Sequence, residues 1–315
     1  MTKVVFISGG EETVPADCLA RIRQAGIQLE CRCCEGEEAT LAFAQGAEVV
    51  WMRGPNRGLT ANVLRQLTQC RAIFRSGSGV DALPCAAAKE LGIGVFNTPE
   101  SISESVAEHA VSLLLSAARQ IPQLSAQVRQ GCQWGDPTPL QWHLTGRTLA
   151  LVGYGRIARR VEELLVGFHM KTLHYDPFLK DSLPLDEILA QADFISLHCP
   201  LTDDTRNLID ARRLALMKPN AILVNTSRGP VVDEAALAES LRNHRLGGAA
   251  LDVLCDEPPS PDNPLLHLPN VIITPHIAAF SADFERNFWS CSAAKVIEIC
   301  QGLGIAHRIG ERPAP

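Results

Sequence analysis

The sequence predicts an α/β fold built from two doubly wound domains, and three observations carry that expectation. Short apolar, β-rich runs alternate with helix-like stretches along the whole chain, the pattern of parallel sheets flanked by helices. The alternation occurs as two series, separated by a long apolar helix and an irregular loop. At 315 residues the chain is long enough for two domains of ordinary size.

The first series supplies strands near "KVVFIS", "IQLECR", "AEVVWM", "AIFRSG" and "IGVFNT", with helix-like segments such as "PADCLARIRQAG" and "TANVLRQLTQ" between them. A helix then starts around Ser101, with Ser103 or Ser105 available to cap it and Val106, Ala110, Leu113 and Leu114 on one stripe. Its apolar character is too wide for a one-sided surface helix, so it is expected at a domain or subunit boundary. "GCQWGDPTPLQWHLTG" reads as a loop. From Arg147 the second series gives "TLALVG", "KTLHYD", "FISLHC", "AILVNT", "GGAALDV" and "VIITPH". A helix is expected to start near Asp233, and a closing one lies in "ADFERNFWSCSAAKVIEICQG". If that last helix packs back on the first domain, the domain is discontinuous: 1–98 plus 283–315 around a second domain at 99–282.

Composition excludes several function classes. A net charge of -6 and scattered Lys and Arg argue against a nucleic-acid surface. No apolar run reaches the ~18 residues that a membrane helix needs, and "MTKVVFISGG" is too short in its apolar part for a secretory signal. Eleven cysteines without a framework spacing fit a reducing cytoplasm. Cys31-Arg32-Cys33-Cys34 lacks a second pair at zinc-like spacing and reads as the end of a strand, so no metal is expected.

"TLALVGYGRIARRVEELL" follows a strand and opens a helix. Its Gly153-Tyr154-Gly155-Arg156-Ile157-Ala158 is G-x-G-x-x-A, a dinucleotide fingerprint. Gly153 allows the tight turn, Gly155 lets the backbone approach a pyrophosphate, and Ala158 lets the helix lie close to the sheet. The helix N-terminus faces the anion. A second strand ends at Asp176, 21 residues after Gly155, where a carboxylate suits ribose hydroxyls and repels a 2′-phosphate. NAD is therefore expected over NADP.

Three later strand ends carry Arg228 in "NTSRGPVVDE", Glu257 in "ALDVLCDEPP" and His276 in "ITPHIA". Open α/β sheets bind ligands at such ends. A guanidinium fork holds a carboxylate and stabilises charge developing on a neighbouring oxygen. Histidine delivers a proton, and an adjacent carboxylate favours its charged form. Taken singly, each has a structural alternative: a solvated arginine, a loop acid and a satisfied core histidine. With "RSGSGVD" (75–81), "VFNTPESISESVAEHA" (95–110) and "LHCPLTDDTRNLI" (197–209), these segments resemble the D-isomer-specific 2-hydroxyacid dehydrogenases over nearly the whole chain.

The resemblance implies a flavodoxin-like substrate domain, a Rossmann NAD-binding domain and a substrate clamped in the cleft between them. It implies that Arg228 binds the substrate carboxylate and 2-oxo oxygen, that His276 is the acid/base and that Glu257 holds it. Arg53, Arg75 and the loop Ser76-Gly77-Ser78-Gly79 fall on the substrate side. Alongside the fingerprint residues and Asp176, the cofactor side takes Cys199, Pro200, Thr205, Thr226 and Asp252, the last toward the nicotinamide amide. His109, His198 and Ser227 receive no catalytic role. The helix from Ser101 resembles the family's dimer-forming segment, which implies a homodimer.

Substrate identity stays open at this level. Arg53 and Arg75 stand where phosphoglycerate dehydrogenases of this family meet an anionic tail, and Arg57 lies in the same loop. That loop is one residue longer than the usual pattern. The chain also ends soon after its closing helix, leaving no room for the regulatory domains of longer phosphoglycerate dehydrogenases. "HIAAFSADFERNFW" departs from the common continuation after the histidine, so Phe280 and Phe284 either narrow the pocket or pack beneath it. The substrate is expected to be a small 2-oxo or 2-hydroxy acid such as hydroxypyruvate, glyoxylate or phosphohydroxypyruvate. The alternative function is an NADH-sensing, corepressor-like interaction protein on the same fold.

Overall fold

The computed structural model describes residues 1–54 and 56–302. It contains two compact units, Met1–Ile102 with Ser281–Pro315, and Ser103–Phe280. The stretch 303–315, expected to complete the first domain, lies outside the described residues.

In the first unit the strands are β1 (Lys3–Phe6), β2 (Gln28–Cys31), β3 (Val49–Arg53), β4 (Ala72–Ser76) and β5 (Gly94–Asn97). All neighbours are parallel, in the order β2-β1-β3-β4-β5. The order reverses between β1 and β3, as in flavodoxin-like sheets. Helices α1 (Ala16–Gln24), α2 (Gly36–Ala44), α3 (Ala61–Gln66) and α4 (Cys85–Glu90) make the crossovers. Thr60 caps α3 by accepting from the Val63 amide.

The second unit opens with α5 (Ser103–Ala118) and α6 (Ile121–Arg129). Its strands are β6 (Thr148–Val152), β7 (Lys171–Tyr175), β8 (Phe194–Leu197), β9 (Ile222–Asn225), β10 (Gly248–Leu251) and β11 (Val271–Ile273). They are parallel, in the order β11-β10-β9-β8-β6-β7. Strands β8, β9 and β10 are buried at every position, so both faces of the sheet are covered there and the strands are mostly apolar. The crossovers use α7 (Arg156–Leu165), α8 (Leu185–Gln191), α9 (Ala211–Leu216) and α10 (Glu234–Arg242). Asp210 and Asp233 cap α9 and α10 with their carboxylates, so α10 starts at the expected place.

This sheet lacks the outermost third strand of the Rossmann order 3-2-1-4-5-6 among the described residues. One backbone bond stands in its place, from Leu183 N to His174 O at 3.2 Å. Pro184 follows directly and has no N–H with which to extend a ladder. The broad apolar helix expected from Ser101 packs within its own unit. Ala107, Ala110, Leu113 and Leu114 share one core cluster with Leu151, Val161 and Phe194.

The last helix, α11 (Phe284–Cys300), belongs to the first unit. Trp289 meets the rings of Phe6 and Trp51 at centroid distances of 6.0 and 5.9 Å. Ser292 Oγ donates to Ser76 Oγ at 2.8 Å, and Trp51 Nε1 donates to the same oxygen at 2.8 Å. Among the described residues, no helix is long and apolar enough to cross a membrane.

Candidate active site

The turn after β6 forms a cradle for a dinucleotide. Gly153 has φ +83°, and a Cβ there would stand 2.7 Å from the Cys199 amide nitrogen. Glycine is therefore required both by backbone conformation and by the close approach of the β8 end. A Cβ on Gly155 would meet nothing within 4 Å, so that face of the turn is open. The amides of Gly155, Arg156 and Ile157 have no hydrogen-bond partner among the described residues. Such amides at the start of a ten-residue helix attract an anion. Ala158 is fully buried, letting α7 lie against the sheet.

Asp176 follows β7 and accepts from Tyr154 N at 2.9 Å and from Phe178 N at 3.0 Å. Each carboxylate oxygen keeps a lone pair for another donor. Thr226 Oγ1, just beyond β9, is buried without a hydrogen-bond partner among the described residues. An orphaned buried hydroxyl is uncommon in a folded protein and marks a place for a ligand group. These features fit an NAD-type cofactor held by the fingerprint turn, Asp176 and Thr226.

Other cofactor-side residues are engaged within the chain. The Tyr154 hydroxyl donates to Glu162, and its ring stacks on His174 at 3.9 Å. Burial and the Glu162 carboxylate push that phenol up to about 12. Thr205 Oγ1 donates to Pro200 O at 2.6 Å and accepts from Thr202 N, closing its own turn. Cys199 is buried, which pushes its thiol up to about 11. Burial also holds His198 down at about 4, with Ser196 Oγ at 2.9 Å from its Nε2.

Neighbouring strands β9, β10 and β11 bring the three chemical residues to one end of the second sheet. Asn225 shapes the end of β9. Its Oδ1 accepts from Ser227 N and Oγ, while its Nδ2 donates to Arg228 O at 2.9 Å. Arg228 Nη1 donates to Ser227 O at 2.7 Å. A Cβ on Gly229 would stand 2.0 Å from the Leu254 carbonyl carbon. Only glycine allows the arginine turn to lie against the loop that carries Glu257. That loop is closed by Leu254 N donating to Glu257 Oε1 at 3.1 Å, and Glu257 Oε2 meets His276 Nδ1 at 2.6 Å.

His276 has φ +51°, a left-handed conformation that costs a non-glycine residue about 1–3 kcal/mol. Asp252 holds it there. The Asp252 carbonyl accepts from His276 N at 2.8 Å. Its carboxylate, 1% exposed, accepts from Thr274 Oγ1 at 2.5 Å, Ile277 N at 3.0 Å and Ala278 N at 2.9 Å. His109 Nε2 lies 3.0 Å from Thr274 Oγ1 and 3.5 Å from Asp252 Oδ1. Burial raises the Asp252 pKa, but His109, Thr274 and the two amides outweigh it and hold the carboxyl below its ordinary value. Thr274 has one proton and gives it to the carboxylate, so His109 Nε2 carries the hydrogen donated to Thr274. Sequence reasoning missed His109, Thr274 and Gly229. The glycine before Pro230 was the only local sign, and nothing in the helix pattern marked His109.

The residues expected on the substrate side lie in the first unit. Arg75 Nη1 donates to Gly79 O and thereby fastens the glycine loop. The Ser76 side chain turns into the core toward Trp51 and Ser292. Gly77, at φ +94°, gives its amide to Thr98 Oγ1 at 2.9 Å. The amides of Ser78 and Gly79 have no hydrogen-bond partner among the described residues and are open to an acceptor. Arg53 Nη2 pairs with Glu285 Oε1 at 2.8 Å. Phe284 packs on Phe288 with centroids 4.9 Å apart and is buried, whereas Phe280 is 60% exposed.

Asp252→Asn leaves one carboxamide oxygen where two carboxylate oxygens served three donors. The variant is expected to lose about 2 kcal/mol at neutral pH, read by urea denaturation. A lowered folded-state pKa gives stability that is present above the unfolded-state pKa and lost as pH falls through the folded-state value. The gap between wild type and variant should therefore narrow on acidification. Equal stability at neutral pH would show that the carboxylate does not hold the turn.

Residues 111–278 match the family model described as D-isomer specific 2-hydroxyacid dehydrogenase, NAD binding domain. The D-3-phosphoglycerate dehydrogenase of Archaeoglobus fulgidus is 34% identical over 307 residues, covering 95% of this chain and 58% of its own length. The chain thus spans little more than half of that relative. A glyoxylate reductase of Korarchaeum cryptofilum is 37% identical over 256 residues, covering 78% of this chain and 77% of its own length. The solved D-lactate dehydrogenase of Aquifex aeolicus, complexed with NAD and lactic acid, superposes with a TM-score of 0.81 at 28% identity, covering 95% of this chain and 96% of that one. With the fingerprint turn, the paired histidine and carboxylate and these matches together, the chain belongs to the D-isomer-specific 2-hydroxyacid dehydrogenase family.

Proposed function

We propose that the protein is an NAD-dependent oxidoreductase acting on a small 2-oxo or 2-hydroxy acid of D configuration. The observation that carries this reading is the 2.6 Å contact between His276 Nδ1 and Glu257 Oε2, made at the same sheet end as Arg228. When bound, the nicotinamide supplies or accepts the hydride. The chain's own groups position the acid and move the proton.

Arg228 binds the substrate carboxylate and polarises the 2-oxo oxygen with its N–H fork. Glu257 fixes Nδ1 of His276, leaving Nε2 as the edge that gives a proton to the oxygen on reduction and takes it back on oxidation. Asp252 positions that imidazole through the turn it holds. The amides of Ser78 and Gly79 are the loop donors proposed for the carboxylate. Asp176 suits the adenosine ribose of NADH and disfavours a 2′-phosphate, so NADH is the preferred reductant. The protein is further proposed to work in the cytoplasm, where its eleven free thiols stay reduced.

The test is NADH oxidation at 340 nm against glyoxylate, hydroxypyruvate, pyruvate, 2-oxoglutarate, phosphohydroxypyruvate and branched 2-oxo acids, with NADPH in parallel. Turnover of one acid is expected. Tight NADH binding without any turnover would favour a cofactor-sensing protein instead. Arg228→Ala should lower kcat/KM at least 100-fold, about 3 kcal/mol of transition-state stabilisation, while NADH affinity is kept. Normal turnover in that variant would remove Arg228 from the mechanism.

Reduction requires the imidazolium, so wild-type kcat/KM should fall as pH rises through the titration of its acid. His276→Gln should be slow and lack that limb of the pH profile. An unchanged profile would assign the acid to another residue. A homodimer is also proposed, because α6 and the following loop expose Ile121, Val128, Leu140 and a 94% exposed Trp134. Light scattering should give twice the 34.1 kDa chain mass at micromolar concentration; a monomer would overturn this.

A further inference from the structure

We propose that Glu285 is a specificity-determining residue. By pairing with Arg53, it directs the enzyme toward 2-oxo acids whose substituent carries no negative charge. The proposal rests on the dehydrogenase reading above and deepens it to a substrate class.

The placement follows from the first sheet alone. Its order reverses between β1 and β3, and open α/β sheets bind ligands outside the carboxyl ends of their strands at such a reversal. Arg53 is the last residue of β3, and its amide donates to Ser8 Oγ, just beyond β1, at 3.0 Å. The guanidinium therefore stands at the ligand-binding end of this sheet.

Glu285 occupies that guanidinium from the first turn of α11. Its Oε1 lies 2.8 Å from Arg53 Nη2, and its Oε2 accepts from Trp289 Nε1 at 2.6 Å. Trp289 is buried, so the carboxylate is oriented by an anchored indole as well as by the arginine. The guanidinium carbon sits 5.4 Å from the ring centroids of both Phe288 and Trp289, within cation–π range. The arginine is held on several sides while its side chain stays 32% exposed and that of Glu285 58% exposed.

An arginine fork without a carboxylate partner would take a phosphate or second carboxylate in bidentate fashion. Here one N–H of the fork is given to Glu285, and the pair is neutral as a whole. An anionic substituent approaching the fork meets the Glu285 charge a few ångströms away. A hydroxymethyl or alkyl substituent meets an aromatic edge and a closed ion pair, without like-charge repulsion. Arg75, the other expected reader of an anionic tail, gives Nη1 to the Gly79 carbonyl.

The experiment compares kcat/KM for hydroxypyruvate and phosphohydroxypyruvate in wild type, Glu285→Gln, Glu285→Asp and the double variant Arg53→Gln/Glu285→Gln. Wild type should prefer hydroxypyruvate. Glu285→Gln should raise the phosphohydroxypyruvate to hydroxypyruvate ratio about tenfold, as expected for removing one charge near a partly exposed site. Glu285→Asp, which keeps the charge, should retain the wild-type preference, and the double variant should show no gain.

A wild-type preference for phosphohydroxypyruvate would overturn the proposal, as would a rise below threefold in Glu285→Gln. If no acid is turned over, the dehydrogenase reading fails separately. Calorimetric titration of NADH-loaded protein with phosphohydroxypyruvate then decides this one. Tighter binding to Glu285→Gln than to wild type upholds it, and equal or absent binding overturns it.

Discussion

The buried carboxylate of Asp252 is the interaction on which the chemical end of the second unit depends. Taking a carboxylate out of water is costly unless its lone pairs are filled. Here the filling is done by Thr274, Ile277 and Ala278, all from the segment that carries His276. The energy that keeps the charge buried is thus the energy that shapes the turn. The Asp252 carbonyl takes the His276 amide and holds the residue in its left-handed conformation. Loss of the carboxylate would loosen the turn that carries His276 without touching the His276 or Glu257 side chain.

The same economy runs through the rest of the site, where glycines set the distances between neighbouring backbone segments. Gly153 permits the approach of Cys199, and Gly229 permits the approach of Leu254. Cys199 shows the consequence for chemistry. Burial raises its thiol to about 11, so it is protonated and inert at neutral pH, and its contribution is the backbone that Gly153 faces.

Much of this was legible in the sequence, for identifiable reasons. Apolar runs such as "ILVN" and "GAAL" have one environment on both faces, so the strands were readable from local composition. The fingerprint turn was readable because its glycines answer to local backbone geometry. Helices α2 and α4 went unread, and among the described residues one hydrogen bond beside a proline stands where the third Rossmann strand would lie. Arg228, Glu257 and His276 stood out by their places at strand ends and their chemistry, and their roles came from their order along the chain and the family it resembles. Ser76 was read as part of a loop whose backbone cradles the substrate carboxylate; what the sequence did not show is that its side chain completes a core network with Ser292, 216 residues away. His109 was read as a residue within an apolar helix and given no catalytic role. Its contact with Thr274 spans 165 residues, a separation at which no local pattern carries information.

The side chains that escaped the sequence reading differ in kind from those that did not. Catalytic groups must match a reaction that is the same for every 2-oxo acid: a carboxylate to hold, an oxygen to protonate, a hydride to receive. They recur in a fixed order and can be recognised. A specificity group must match only the part of the substrate that varies, and it acts by charge and contact across the fold. Glu285 is of this second kind. It sits in a segment that departs from the common pattern, and its meaning comes from Arg53, 232 residues earlier. An arginine at a strand end announces an anion only when nothing in the chain already supplies one. At Arg53 the chain supplies a carboxylate, that of Glu285. The charge of Arg53 is thus answered from within the chain, which its place at a strand end does not announce in the sequence.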